Sequence, residues 1–149
     1  MRVRTMMMPL LALVLLAGCG GFRLAPVTPA SMPGSVAANM PISVVTVSES
    51  PALDAKMVRV LQKYQVAPEM ERVLALSLGT GQPGGATVNV VITSIRWSNW
   101  GPSRMHTQTT VVGPDGAVLK TFETESVTMR SKAIKPVAQD TVQQVADRV

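Results

Sequence analysis

The chain has one cysteine and one histidine in 149 residues. A lone cysteine, Cys19, cannot form an intramolecular disulfide. With His106 as the only histidine, a transition-metal site is poorly supplied with thiolate and imidazole ligands. Basic residues outnumber acidic ones by 14 to 9 but do not cluster in the chain. Without a concentrated basic patch, nucleic-acid binding is not expected. Serines and threonines are plentiful, yet no nucleophile–base arrangement stands out, so neither catalysis nor a cofactor is expected. No apolar run reaches the ~20 residues that a bilayer-spanning helix needs.

The start of the chain is informative. Arg2 and Arg4 place positive charge at the N-terminus, and the apolar stretch from Met6 to Leu16 follows, interrupted only by Pro9. That length suits the core of an export signal and falls short of a membrane span. The stretch closes in Leu16-Ala17-Gly18-Cys19, which resembles the bacterial lipobox, where small residues admit a peptidase ahead of a cysteine. The resemblance implies acylation of the Cys19 thiol, removal of residues 1–18, and an N-terminal cysteine held in the bilayer by its acyl chains. Acylation would also remove the liability of a free thiol in an oxidising compartment. Two or three acyl chains anchor far better than one, at about 0.8 kcal/mol per buried methylene. Gly20 stands where lipoproteins retained in the enterobacterial inner membrane carry Asp. The resemblance therefore implies the periplasmic face of the outer membrane.

Taking the 18 signal residues from 149 leaves 131, and with Arg2 and Arg4 gone the charge falls to twelve basic against nine acidic residues, or +3. The stretch from Gly20 to Pro41 contains Pro26, Pro29, Pro33 and Pro41 and almost no charge. It reads as an extended linker, residues 19–41. At about 3.1 Å per residue, roughly 20 such residues would let a domain stand up to about 60 Å from the lipid. Residues 42–149 remain for one globular domain, enough to bury a single core.

Within that domain, Ile42 to Ser48 is rich in β-branched residues and predicts a first strand. Ser50-Pro51 predicts a helix start, with the hydroxyl as cap and proline at the first helical position. Leu53, Met57, Val60, Leu61 and Tyr64 form that helix's apolar stripe, and Pro68 should end or kink it. Glu69 to Leu78 predicts a second helical piece stopped by Gly79. Thr87 to Trp97 predicts a strand with Val88, Val90 and Ile92 on one side and Val91 and Ile95 on the other, buried on both faces. Arg104 to Val112 and Val118 to Met129 predict a hairpin around Gly113-Pro114-Asp115-Gly116. A last helix is expected from about Lys135, with a stripe of Ile134, Ala138, Thr141, Val142, Val145 and Val149. The expected architecture is α+β: about four mostly antiparallel strands with two or three helices on one face.

The residues Cys19-Gly20-Gly21-Phe22-Arg23-Leu24 resemble the Cys-Gly-Phe-x-Leu opening of the lipopolysaccharide-assembly lipoproteins, with one glycine more. That family joins helices to a small, mostly antiparallel sheet. The likeness implies an envelope role and transfers no ligand or catalytic residue.

Four constellations of residues bear on chemistry. Gly79-Thr80-Gly81-Gln82-Pro83-Gly84 spells Gly-x-Gly-x-x-Gly, but it follows a helix and precedes a strand, the reverse of a dinucleotide site. It is a connector. His106 reads as an ordinary strand residue, and Glu123 and Glu125 as alternating solvent-facing charge. The segment from Arg96 to Arg104 gathers both tryptophans and two arginines (Arg96, Trp97, Trp100, Arg104) around one strand connection. Trp and Arg dominate binding hot spots, Trp enters lipid interfaces and Arg pairs with phosphate. The competing expectation is that Trp97 caps the core and Trp100 packs over a sheet edge.

The sequence thus leads to a tethered, non-enzymatic envelope component with a protein partner. The alternative is a binding module for anionic lipid or lipopolysaccharide through residues 96–104.

Overall fold

A computed structural model describes residues 21–30 and 32–149. The signal sequence and Cys19 lie outside the described residues. The fold is α+β. In chain order it comprises β1 (Ile42–Glu49), α1 (Ala55–Lys63), α2 (Val66–Leu78), β2 (Ala86–Arg96), β3 (Ser103–Val112), β4 (Val118–Thr128) and α3 (Ile134–Arg148). The strands form one sheet in the order β1-β2-β3-β4. β1 and β2 are parallel across the helical connection, and β2, β3 and β4 form an antiparallel meander. The sheet is therefore mixed, with one parallel pair.

Alternation along β3, and along β1 after a bulge between Ile42 and Val44, decides where the helices go. Ile42, Val45 and Val47 are buried in β1, and Met105, Thr107, Thr109 and Val111 in β3. α2 packs on β1, and α3 packs on β3 and β4 and touches α2. All of this lies on one side of the sheet. The opposite side carries Val44, Thr46, Gln108, Glu123 and Val127, all exposed. The expectation that β2 is buried on both faces is corrected by this one-sided covering: Val88, Val90 and Ile92 are buried and Val91 on the other face is half-buried, while a register shift after Ile92 turns Ile95 to the covered side, opposite Met105 and against the core.

Two helix boundaries also differ from expectation. Ser50 does not cap α1: its N–H is held by the Ile92 carbonyl at 2.9 Å at the end of the β1–β2 ladder, and its hydroxyl accepts from the Ala52 N–H at 3.2 Å, closing a turn that precedes the helix. The chain turns through Ser50–Leu53, and the Asp54 carboxylate caps the helix by accepting from the Lys56 N–H at 2.7 Å. Nor does Pro68 end α1. The break falls at Gln65, whose φ of 52° reverses the chain, and Pro68 sits in the first turn of α2, where a missing N–H costs nothing. The end of α2 is as expected: Gly79 adopts φ 65° and donates to the Ala75 carbonyl.

The core has two textures. Between α1, α2 and the strands β1 and β2 it is aliphatic: Leu61, Met70, Leu74, Val88 and Ile92 are fully enclosed. Under α3 it turns to hydroxyls. Thr107 and Thr124 share a 2.7 Å hydrogen bond across β3 and β4, and the Thr141 hydroxyl donates to Ser126 Oγ at 2.8 Å. Thr109, completely buried beside them, has no partner for its hydroxyl.

The proline-rich segment is extended as expected, but it is not a free linker. Leu24 is buried in the main core, a contribution of about 1.5–3 kcal/mol for a Leu side chain. Its N–H donates to Glu69 Oε1 at 2.8 Å, and its carbonyl accepts from Arg72 at 3.2 Å. Farther along, the Ala25 N–H donates to Gln139 Oε1 at 2.7 Å while Gln139 Nε2 donates to the Ala25 carbonyl at 3.0 Å. Gln143 donates to the Thr28 carbonyl, and Asp147 accepts from the Ala30 N–H. Gln139, Gln143 and Asp147 are four residues apart and so share one face of α3. That face holds the segment's backbone groups as a neighbouring strand would.

Candidate functional site

The structure splits the tryptophan–arginine segment between two faces of the sheet. Arg96 and Arg104 are cross-strand partners near the ends of β2 and β3, both exposed. Two like charges opposed across a strand pair repel, and Arg104 is relieved by Glu125 Oε1 at 3.1 Å. His106 Nε2 approaches the same oxygen at 3.5 Å. Trp97, by contrast, is half-buried against the core, its ring edge-on to Tyr64 at 6.5 Å between centroids. Its Nε1 is buried and has no partner. Trp100 stands at the tip of the turn, 87% exposed. Of the two expectations for the tryptophans, Trp97 follows the structural one and Trp100 does not pack on the sheet edge. Arg96 and Arg104 are brought together; Trp97 lies on the opposite side of the sheet.

A cleft of about 820 Å³ opens on the helical side. Four separate stretches of chain line it: Gly21–Arg23 at the start of the extended N-terminal segment (the strap), Lys63 to Arg72 across the α1–α2 corner and into α2, Trp97, and Lys132 to Pro136 at the start of α3. Phe22, Tyr64 and Trp97 form a continuous aromatic wall, with centroids 6.3 Å apart from Phe22 to Tyr64 and 6.5 Å from Tyr64 to Trp97. Lys63 lies over the Tyr64 ring at 5.6 Å.

The charge of this cleft is unbalanced. Arg23, Lys63, Arg72, Lys132 and Lys135 face a single carboxylate, Glu69. Glu69 is committed: Arg72 holds it at 2.7 Å and Arg23 at 3.5 Å. The Arg72 hydrogen bond, helped by the Leu24 N–H and opposed by burial, holds the Glu69 carboxyl below its ordinary range. Lys63, Lys132 and Lys135 make no ion pair among the described residues. Lys132 is held at φ 51°, a backbone conformation that costs a lysine about 1 kcal/mol or more. Its N–H is tied to the Ser98 carbonyl at 3.1 Å, which links the start of α3 to the Trp97–Trp100 turn. A smaller hollow of about 370 Å³ shares Lys63, Tyr64 and Trp97 and adds Lys56 and Arg59.

Of the cleft's residues the sequence offers only Trp97 as a binding candidate; the others come from separate stretches, Gly21–Arg23, Lys63–Arg72 and Lys132–Pro136, that the fold brings together, so no local motif marks them. Among the described residues, no group of His, Cys, Asp and Glu could hold a metal ion. Glu123 and Glu125 lie exposed on the uncovered sheet face, and Gly79–Gly84 connects α2 to β2.

No known family model matches the chain, and no curated protein is similar to it at a significant level. Several solved structures share its general shape. A PelC dodecamer from Paraburkholderia phytofirmans is 12% identical, covering 83% of this chain and 95% of that one, with a TM-score of 0.46. An uncharacterized protein is 11% identical over 83% and 93%, with a TM-score of 0.44. Lipoprotein GNA1162 from Neisseria meningitidis is 13% identical over 70% and 94%, with a TM-score of 0.38. No residue role is carried over from these structures. No helix among the described residues is long and apolar enough to cross a membrane.

Proposed function

We propose that the chain is a lipid-tethered envelope protein, anchored through acyl chains on Cys19, that works by binding a protein partner and not by catalysis. It would serve as a component or accessory of an envelope assembly or transport complex, on the periplasmic side of the outer membrane. The lipobox-like Leu16–Cys19 and the residue Gly20 support the address. The likeness of Cys19–Leu24 to the lipopolysaccharide-assembly lipoproteins supports the setting. The observation that carries the binding role is the uncovered side of the sheet. It is four strands wide, and Val44 and Val127 on it are 47% and 46% exposed, while none of the three helices lies over it. This open sheet face mixes valine, threonine and glutamine with the charged side chains of Arg96, Arg104, Glu123 and Glu125, a surface on which a partner can pack with both apolar and polar contacts.

Two measurements test this. Radiolabelled palmitate should enter the wild type and not Cys19→Ala; equal labelling of both would end the tether. A protein should co-purify in fixed stoichiometry from detergent-solubilised membranes and be lost in the Val44→Lys/Val127→Lys double variant. A partner retained by that variant would rule out the sheet face.

The second reading, a module for anionic lipid, is favoured by the cationic, aromatic cleft and not by the 96–104 segment as a unit.

A further inference from the structure

We infer that the cleft framed by Phe22, Tyr64, Trp97 and Lys132 is a headgroup site for an anionic phospholipid. Three independent features converge on it. The first is charge: Lys63, Lys132 and Lys135 converge on one opening without a carboxylate of their own, while Glu69 is already neutralised by Arg72. Lysines in the open are ordinary; three unpaired ones around a concave aromatic wall, one of them in a costly backbone conformation, select an anion. The second is the wall. Phe22, Tyr64 and Trp97 line the cleft with a run of aromatic rings, an apolar surface that suits glycerol and the first acyl carbons beneath a phosphate. A cleft of about 820 Å³ lies within the usual range for a small-molecule site of about 300–1,000 Å³.

The third is position. Gly21 and Phe22 line the cleft, and Phe22 is three residues from Cys19, a span of at most about 11 Å even when fully extended. If Cys19 carries the acyl chains, the mouth of the cleft lies within reach of headgroups in the same leaflet. The hollow with Lys56 and Arg59 extends the positive surface around that mouth. A free phosphate ester would satisfy the lysines equally well, but it would leave the aromatic wall unused. The inference rests on the tethered reading only for the source of the ligand. Loss of palmitate labelling would defeat the tether, whereas the site itself can be tested in detergent without a bilayer.

The test uses the full chain, extracted from membranes in a maltoside detergent, with Trp100→Phe so that Trp97 is the sole tryptophan. Dihexanoyl-phosphatidylglycerol should change Trp97 fluorescence saturably. Dihexanoyl-phosphatidylcholine should bind at least tenfold more weakly, and so should glycerol phosphate, which has the anion without the acyl part. Lys63→Gln/Lys132→Gln should weaken phosphatidylglycerol binding at least tenfold with an unchanged melting curve, since both side chains are exposed. Lys135→Gln, on a separate element, should weaken it in the same direction and guards against a folding artefact. Equal affinity for the two lipids would remove the anionic requirement. Glycerol phosphate binding as tightly as the lipid would assign the cleft to a soluble phosphate ester. Unchanged binding by the lysine variants would overturn the site.

Discussion

The Leu24 N–H donates to Glu69 at 2.8 Å while the Leu24 carbonyl accepts from Arg72, the same arginine that holds Glu69. One ion pair on α2 therefore satisfies both backbone groups of a residue 45 positions earlier, and its side chain enters the core. Removing Glu69 leaves a buried N–H and an arginine unpaired together. Glu69→Ala should cost about 2–4 kcal/mol in denaturant unfolding at pH 7. The carboxyl is held below its ordinary value of 4.5. Its contribution is thus fully present above that value and is lost as pH falls through the depressed one. Glu69→Gln should flatten this part of the acid limb; an acid limb identical to wild type would mean the pair adds no pH-dependent stability.

The strap should resist proteolysis while α3 holds it. Thermolysin should spare the stretch from Leu24 to Ala30 in the wild type. In Gln139→Ala/Gln143→Ala it should cut there first, because three of the strap's hydrogen bonds are removed. Mass spectrometry of the first fragments decides this. Early cleavage of the wild type within the strap would show that the docking is weaker than its geometry.

The tryptophans should separate cleanly in thermal unfolding. Trp100→Ala should change stability by no more than about 0.5 kcal/mol, as surface substitutions do. Trp97→Ala should cost about 2–3 kcal/mol, below the 3–5 typical of a fully buried Trp because the ring is only half-buried. If Trp100 anchors a partner, the same Trp100→Ala variant should lose about 2 kcal/mol of binding, which calorimetry would read.

Thr109 is buried with an unpartnered hydroxyl. Thr109→Val keeps the shape and removes the desolvation cost, so it should be neutral or stabilising by up to about 1–2 kcal/mol. Thr107→Val, one pair of strand positions away, should destabilise because it orphans the Thr124 hydroxyl. If both variants shift the denaturation midpoint the same way, the hydroxyl layer has been misread.

The sequence carried the regular elements and lost the long-range ones. The Gly113–Gly116 turn was legible because its chemistry is local: Gly116 at φ 84° donates to the Gly113 carbonyl at 3.0 Å. The stripe from Ile134 to Val149 was legible because burial repeats with the helical period. The start of α1 lies farther on than the Ser50-Pro51 pair suggests, because the Ser50 N–H stays in the sheet with Ile92, 42 residues away, and its hydroxyl closes a turn at Ala52 ahead of the Asp54 cap. The prolines did foretell an extended strap. Nothing near them foretold that Gln139, Gln143 and Asp147, more than a hundred residues on, would bind its backbone. The cleft was illegible for the same reason: Phe22, Tyr64, Trp97 and Lys132 become neighbours only after the strap has docked. Only Trp97 and Trp100 stood out, by their rarity, and the fold then turned them in opposite directions.

The strap runs in the same direction as α3, meeting Gln139, then Gln143, then Asp147 as its own numbering rises. A pull applied ahead of Phe22 along the axis of α3 would therefore slide these contacts sideways and load them together with the buried Leu24. In that geometry the connection yields as a clamp in shear, and not as a zipper opened one bond at a time. If the chain is tethered at Cys19, such a joint would hold the domain's position under tension until the whole joint gives way at once.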